Sequence, residues 1–296
     1  MAFSYRSIDV EITLKEGFFQ GSENKITLTG HRVNCLIRNP GGYSSGTMQC
    51  AIFGLSERLM NQLTGIGVIQ TQNIGNEITI ITKLIDRFGK KDIAIAFKGW
   101  IAMAWADFNN QPDAMLNIVA QGGYPFYTKP VEASSFQGEV SAATIMRSFA
   151  KEQGYELQDY GVQHIFYDYT FNGNTIDKIQ ECARAGDFNY IIDDVNSKLV
   201  IYPHGVTINE EIPLISSETG MIGYPTFNEN GVMVQCLYNK NIKEASQVQI
   251  KSSLPAATGK FSAFDIMHTI ESENNQGSGA WYTNFMAFRL NDKPSQ

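Results

Sequence analysis

The chain has 296 residues, 43% of them hydrophobic, and a formal net charge of −7. That length supports two or three ordinary domains with their own cores, and the apolar content is too high for a disordered chain. The acidic balance argues against a nucleic-acid binder, which meets phosphates with a basic face.

Residues 4–14 alternate, with Ile8, Val10, Ile12 and Leu14 in one phase, as a half-buried strand requires. The preceding MAFS lacks the basic start of a signal peptide, and no continuous apolar core follows it. Ile26 and Leu28 begin a second strand and Val33 to Ile37 a third; Asn39-Pro40-Gly41-Gly42 forces a turn before Thr47 to Phe53. Ser56 caps a short helix carrying Leu59, Met60 and Leu63, which Gly65 stops. Glu77–Leu84, Asp92–Phe97, Gly99–Phe108 and Asp113–Gln121 read as further strands, with a hairpin at Asn109-Asn110-Gln111-Pro112. The most apolar run, Ile93 to Ala106, is cut by Lys98 and Gly99 and is too short to span a bilayer, so no membrane insertion is expected. Residues 1–123 thus form a mainly-β unit.

From Tyr124 the pattern changes. Ser141 caps a helix with Ala142, Ile145, Met146 and Phe149, ended by Gly154. Asn174 caps another, with Asp177 at its positive end, Ile176, Ile179 and Ala183 on one face, and Gly186 as the stop. Each leads into an extended run, Tyr155–Leu157 and Phe188–Ile192, and Asp193–Ser197 turns into Leu199–Tyr202. Residues 124–205 are a small α/β insertion of two helix–strand pieces. In 206–296 the period of two returns in Val232, Val234 and Cys236, in Val248 and Ile250, and in Phe264, Ile266, His268 and Ile270. Gly231, Gly259 and Asn275–Gly279 supply the breaks, so this part reads as an antiparallel barrel or sandwich. The whole is mainly β with an α+β insertion: barrel, insert, barrel.

Motifs for chemistry are weak. Gly42-Tyr43-Ser44-Ser45-Gly46 fits G-x-S-x-G, but a strand follows it where a nucleophile elbow needs a helix, so a hairpin loop or a subunit contact is the better reading. His31, His164, His204 and His268 are scattered, and a packed or hydrogen-bonded role is expected for His268. Asp194-Val195-Asn196 resembles the start of a calcium loop, yet Leu199 and Gly205 stand where glycine and glutamate are required, so a solvated turn is expected. Glu210 and Glu211 would point to opposite faces of a strand, and Glu271 and Glu273 border a polar loop; neither pair frames a glycosidic bond. Gly122-Gly123 lacks the third glycine of a phosphate cradle. No cofactor or metal is expected. Cys35, Cys50, Cys182 and Cys236 have neither the density of a disulfide scaffold nor C-x-x-C spacing, and read as small buried hydrophobes in a reducing compartment. Trp100, Trp105, Phe108, Trp281, Tyr282, Phe285 and Phe288 lie in strand-like segments; most are core, and Trp100 and Tyr282, on the outward phase, are candidate subunit contacts.

The order IPLISSETGMIGYP, GVMVQCLYN, VQIKSSLP, WYTNF across residues 212–289 resembles the C-terminal domain of baseplate hub proteins of contractile-tailed bacteriophages (the late-control D-like family), with a weaker likeness over most of the chain. The resemblance implies two tail-tube-like barrels flanking the insert, and a structural protein with no enzymatic activity. It implies a homotrimer that joins a sixfold tail tube to a threefold spike and lets DNA pass without specific binding. Partners would be the spike and the tube or tube-initiator proteins, with tape-measure and wedge proteins as further neighbours. The protein would assemble in the host cytoplasm and reside in the virion baseplate. The alternatives are a cell-wall-degrading tail enzyme and a carbohydrate-binding attachment module.

Overall fold

The computed structural model describes residues 5–19, 22–65, 75–86, 88–109, 113–129, 131–208, 211–274 and 279–290. The expected turn at 110–112, Glu210 and the break at 275–278 lie outside them. The first part supplies β1 (Tyr5–Thr13), β2 (Lys25–Leu28), β3 (Val33–Asn39), β4 (Thr47–Phe53), α1 (Glu57–Leu63), β5 (Glu77–Ile85), β6 (Lys91–Asp107) and β7 (Met115–Gln121). The middle contains α2 (Tyr124–Thr128), β8 (Ser134–Ser141), α3 (Ala142–Glu152), β9 (Glu156–Asp159), β10 (Ile165–Phe171), α4 (Thr175–Ala185), β11 (Phe188–Asp193) and β12 (Lys198–Pro203). The last part holds β13 (Leu214–Ile215), β14 (Met221–Asn228), β15 (Gly231–Leu237), β16 (Gln247–Ile250), β17 (Gly259–Ser272) and β18 (Trp281–Arg289).

The protein is mainly β, but the two expected barrels are not separate closed sheets. β1–β7 and β13–β18 form one 13-stranded sheet in the order β14-β15-β18-β17-β3-β4-β7-β6-β5-β1-β2, with β16 on β17 and β13 on β16. The joint is β17. Its first residues pair with β16, Phe261 opposite Val248, and its last seven pair with β3, Ile270 opposite Cys35. This pairing links segments more than two hundred residues apart, which no local pattern announces. The sheet curls until β1 and β5 face the β17–β18 hairpin, and among the described residues the contacts there are between side chains. Arg6 lies over the Trp281 ring at 5.7 Å, the Tyr5 hydroxyl donates to Glu273, the hydroxyls of Thr82 and Tyr238 are 3.4 Å apart, and Lys240 pairs with Asp92.

Two strands depart from simple alternation. β6 runs unbroken through Lys98 and Gly99, where two strands are expected. A Cβ on Gly99 would meet the Gln121 carbonyl and the Phe97 ring at 2.7 Å, so glycine is what lets the strand pass. Bulges in the pairing opposite Ile80/Ile81 and at Ile101/Met103 bend the strand and increase its local twist. In β17 the inward phase switches from Phe261 and Ala263 to Ile266, His268 and Ile270. The switch is at Asp265, whose φ of 45° makes a bulge, so Phe264 turns outward onto Phe288 instead of joining Ile266.

Three cores result. β1–β7 enclose one, to which the C-terminal hairpin contributes Ile270 and Trp281. The middle unit packs α3 and α4 on the β11-β12-β9 sheet and the β8–β10 ribbon, around Phe126, Phe149, Phe171 and Phe188. The two-piece expectation for this unit missed α2 and the ribbon, because YPFYT is one turn long and SSFQGEVS lacks apolar alternation. The third core lies under β14–β18, with Val234, Ile266 and Phe285. Helix starts follow their caps: Ser56 accepts from Leu59 N–H, Ser141 from Thr144 N–H, and Asn174 and Asp177 form a reciprocal box. Among the described residues no helix is long and apolar enough to cross a membrane.

Candidate assembly surface

Among the described strands, β14, the end strand of the ladder, is poorly covered. Of its eight residues only Pro225 is buried. Tyr224 is 71% and Phe227 56% exposed, and Ile222 and the neighbouring Met233 of β15 are also exposed. A bulge between Ile222 and Thr226, with Gly223 at φ 69°, sets these side chains off the regular pleat. A bare edge strand with apolar side chains invites another chain, and single soluble proteins usually blunt such edges with charge. A second exposed apolar group sits on the β5–β6 hairpin, where Phe88 is 80% and Ile93 55% exposed.

Of the two contact candidates, Trp100 is half-buried and stacked on Tyr124, ring centroids 6.2 Å apart, so it braces β6 against the middle unit. Tyr282 is half-buried between Leu237 and Thr269. Four strands separate them in the ladder. Sequence reasoning missed Tyr224 and Phe227. Their signal was MIGYPTFN, which places apolar or aromatic side chains in both phases.

The remaining motifs serve as structure. Ser44 is exposed in a loop that runs into β4, without the helix of a nucleophile elbow. The loop clasps the middle unit: Tyr43 stacks on Tyr190 at 5.6 Å, and the Ser45 and Tyr127 hydroxyls are 2.6 Å apart. The Asp193–Asn196 turn is not simply solvated, since Asp194 is buried. It accepts Gly123 N–H at 2.9 Å and the Tyr155 hydroxyl at 2.7 Å, and burial raises its pKa to about 6. Asp194 borders a cavity of about 200 Å³ between sheet and middle unit. Glu244 lines the same cavity, pushed up to about 7 by burial. His268 is buried against Thr283 Oγ1 at 2.8 Å, and desolvation lowers it to about 4. Glu271 accepts Ala280 N–H, Glu273 the Tyr5 hydroxyl, and Glu211 the Asn241 amide. These carboxylates are tied into turns and seams rather than facing a sugar-sized cleft. Among the described residues no three His, Cys, Asp or Glu side chains gather to hold a metal ion. All four cysteines are buried and free, with Cys35 directly opposite Cys50 on the β3–β4 pair.

The exposed apolar edge at β14 agrees with the family comparison. Residues 22–278 match the family model described as baseplate hub gp41. The chain belongs to the baseplate hub gp41 family. Solved structures agree in fold. The 43 kDa tail protein of prophage MuSo2 from Shewanella oneidensis superimposes with a TM-score of 0.59 at 11% identity, covering 95% of this chain and 97% of its own. A tail protein from Neisseria meningitidis gives 0.63 at 7% identity, covering 95% and 96%. A type VI secretion component of E. coli, described as structurally similar to the T4 tail proteins gp27 and gp5, gives 0.61 at 7% identity, covering 95% and 77%. Comparison with curated proteins gives no match. As a family member, the hub is a structural component of a phage tail baseplate and so of the virion.

Proposed function

We propose that this hub is a homotrimeric adaptor between the sixfold tail tube and the threefold central spike of a contractile tail, with DNA passing through its annulus. The observation that carries the reading is that one continuous sheet bears two separate apolar cores, one under β1–β7 and one under β14–β18. Each chain then offers two tube-like halves, so three chains can present six, provided the contacts between them close. The halves correspond to domains 1–123 and 206–296, and the α/β unit 124–205 stands beside them as the insert. Tyr282 is a contact of that annulus. Trp100 contributes what its stack on Tyr124 leaves open. The net charge of −7 suits a channel that repels DNA phosphates. Spike and tube or tube-initiator proteins bind opposite faces, and assembly takes place in the host cytoplasm.

The test is native mass spectrometry of the purified chain, alone and co-expressed with neighbouring tail proteins. Three copies, with or without a trimeric partner, are expected. A chain that stays monomeric in every combination would refute the proposal.

A further inference from the structure

Resting on that reading, we infer that the bare face of β14–β15 is covered by the basic β5–β6 hairpin of a second copy, so that copies join front to back. The two surfaces complement each other in charge. Residues 211–239, which contain β14 and β15, carry three glutamates and no lysine, arginine or histidine. Glu218 and Glu229 stand exposed just before and just after β14. Residues 83–98, spanning the β5–β6 hairpin, carry five cationic residues against two aspartates. Both aspartates are engaged within the chain, Asp86 by the N–H groups of Phe88 and Lys90, and Asp92 by Lys240. Among the described residues of the hairpin, Lys90 and Lys91 are exposed cations beside the exposed Phe88 and Ile93.

An apolar centre with a charged rim is the usual build of a protein contact. Here the rims have opposite sign, so hairpin against face attracts while face against face repels. The second argument is position. β14 ends the ladder on one side, and six strands lie between it and β6 along the ladder, so the two patches are distinct even though the curl of the sheet brings Asp92 of β6 to Lys240. A contact between two different patches is heterologous, and it either closes into a ring or extends into a filament. In a ring of three, each copy would use each patch once and leave no bare β14 edge.

The test is charge reversal, with mass and particle shape read at moderate salt for the chain alone and with its co-expressed neighbours. Lys90→Glu with Lys91→Glu, and separately Glu218→Lys with Glu229→Lys, are each expected to weaken trimer association tenfold or more. All four reversals in one chain are expected to restore it. The altered side chains are all exposed, and circular dichroism checks that the variants fold. A trimer that neither pair disturbs would overturn this assignment while leaving the hub reading standing. An intact trimer that fails to bind the tube protein only when Glu218 and Glu229 are reversed would overturn it too, making that protein the occupant. A wild-type chain that never trimerises would remove the hub reading and this assignment together.

Discussion

Replacing Asp194 with alanine takes away the acceptor on which the insert meets the sheet. The Gly123 N–H and the Tyr155 hydroxyl both donate to this buried carboxylate. Each would be left buried without a partner, at roughly 1–3 kcal/mol apiece, offset in part by no longer burying a charge. The expected net loss is about 2–4 kcal/mol at neutral pH, and about 1 kcal/mol for Tyr155→Phe, which leaves Gly123 paired. The group also has a pH signature. Burial lifts its pKa from 3.8 to about 6, so the folded chain keeps a proton that the unfolded chain has released. Its contribution is complete below pH 4 and is lost as the pH rises through 6, an effect of roughly 1–3 kcal/mol. Urea unfolding of the parent, Asp194→Ala and Asp194→Asn between pH 4 and 7 measures both effects. An alanine variant within 0.5 kcal/mol of the parent (roughly the noise of such comparisons), or an asparagine variant with the parent's pH slope, would refute the reasoning.

His268 should act in the opposite sense. Its pKa is lowered from 6.5 to about 4, so stability is lost as the pH falls through that interval, by roughly 3 kcal/mol at most, and His268→Gln should flatten that limb of the curve. Gly41 adopts φ 76°, and a Cβ there would meet Glu244 Oε2 at 2.7 Å; Gly41→Ala should cost about 1–2 kcal/mol in thermal unfolding. Trp281 comes from the last strand but packs in the first core beneath Arg6, so Trp281→Ala should cost about 3–5 kcal/mol. Hydrogen exchange should then show β1 losing protection together with β18, and loss confined to β18 would contradict the shared core.

What could be read from the chain depended on distance along it. Alternation in Ile8, Val10, Ile12 and Leu14 marks a real inward face, and all four are buried. The caps at Ser56, Ser141 and Asn174 start helices because a side-chain oxygen answers the free N–H groups of the first turn, a wholly local matter. The junction of β17 with β3 is different in kind. It joins Ile266–Ser272 to Val33–Asn39, and nothing within either segment specifies the other, so two closed barrels were the natural expectation and one curled sheet is the outcome. Gly99 resembles a strand break because glycine commonly is one, yet here it allows two backbones to approach. Asp265 carries the switch of phase that turns Phe264 outward, and an aspartate at positive φ leaves no trace in hydrophobic periodicity. The site was the hardest part to read. Tyr224 and Phe227 matter for what does not cover them, and exposure is a property of the finished fold.

The central claim, that three two-cored chains imitate six tube subunits, is tested most directly by imaging the assembled baseplate at a resolution that separates strands. The account requires a single annulus at the end of the tube in which β1–β7 halves and β14–β18 halves alternate around a threefold axis. An annulus formed by only one of the two halves, or six complete chains in the ring, would contradict it.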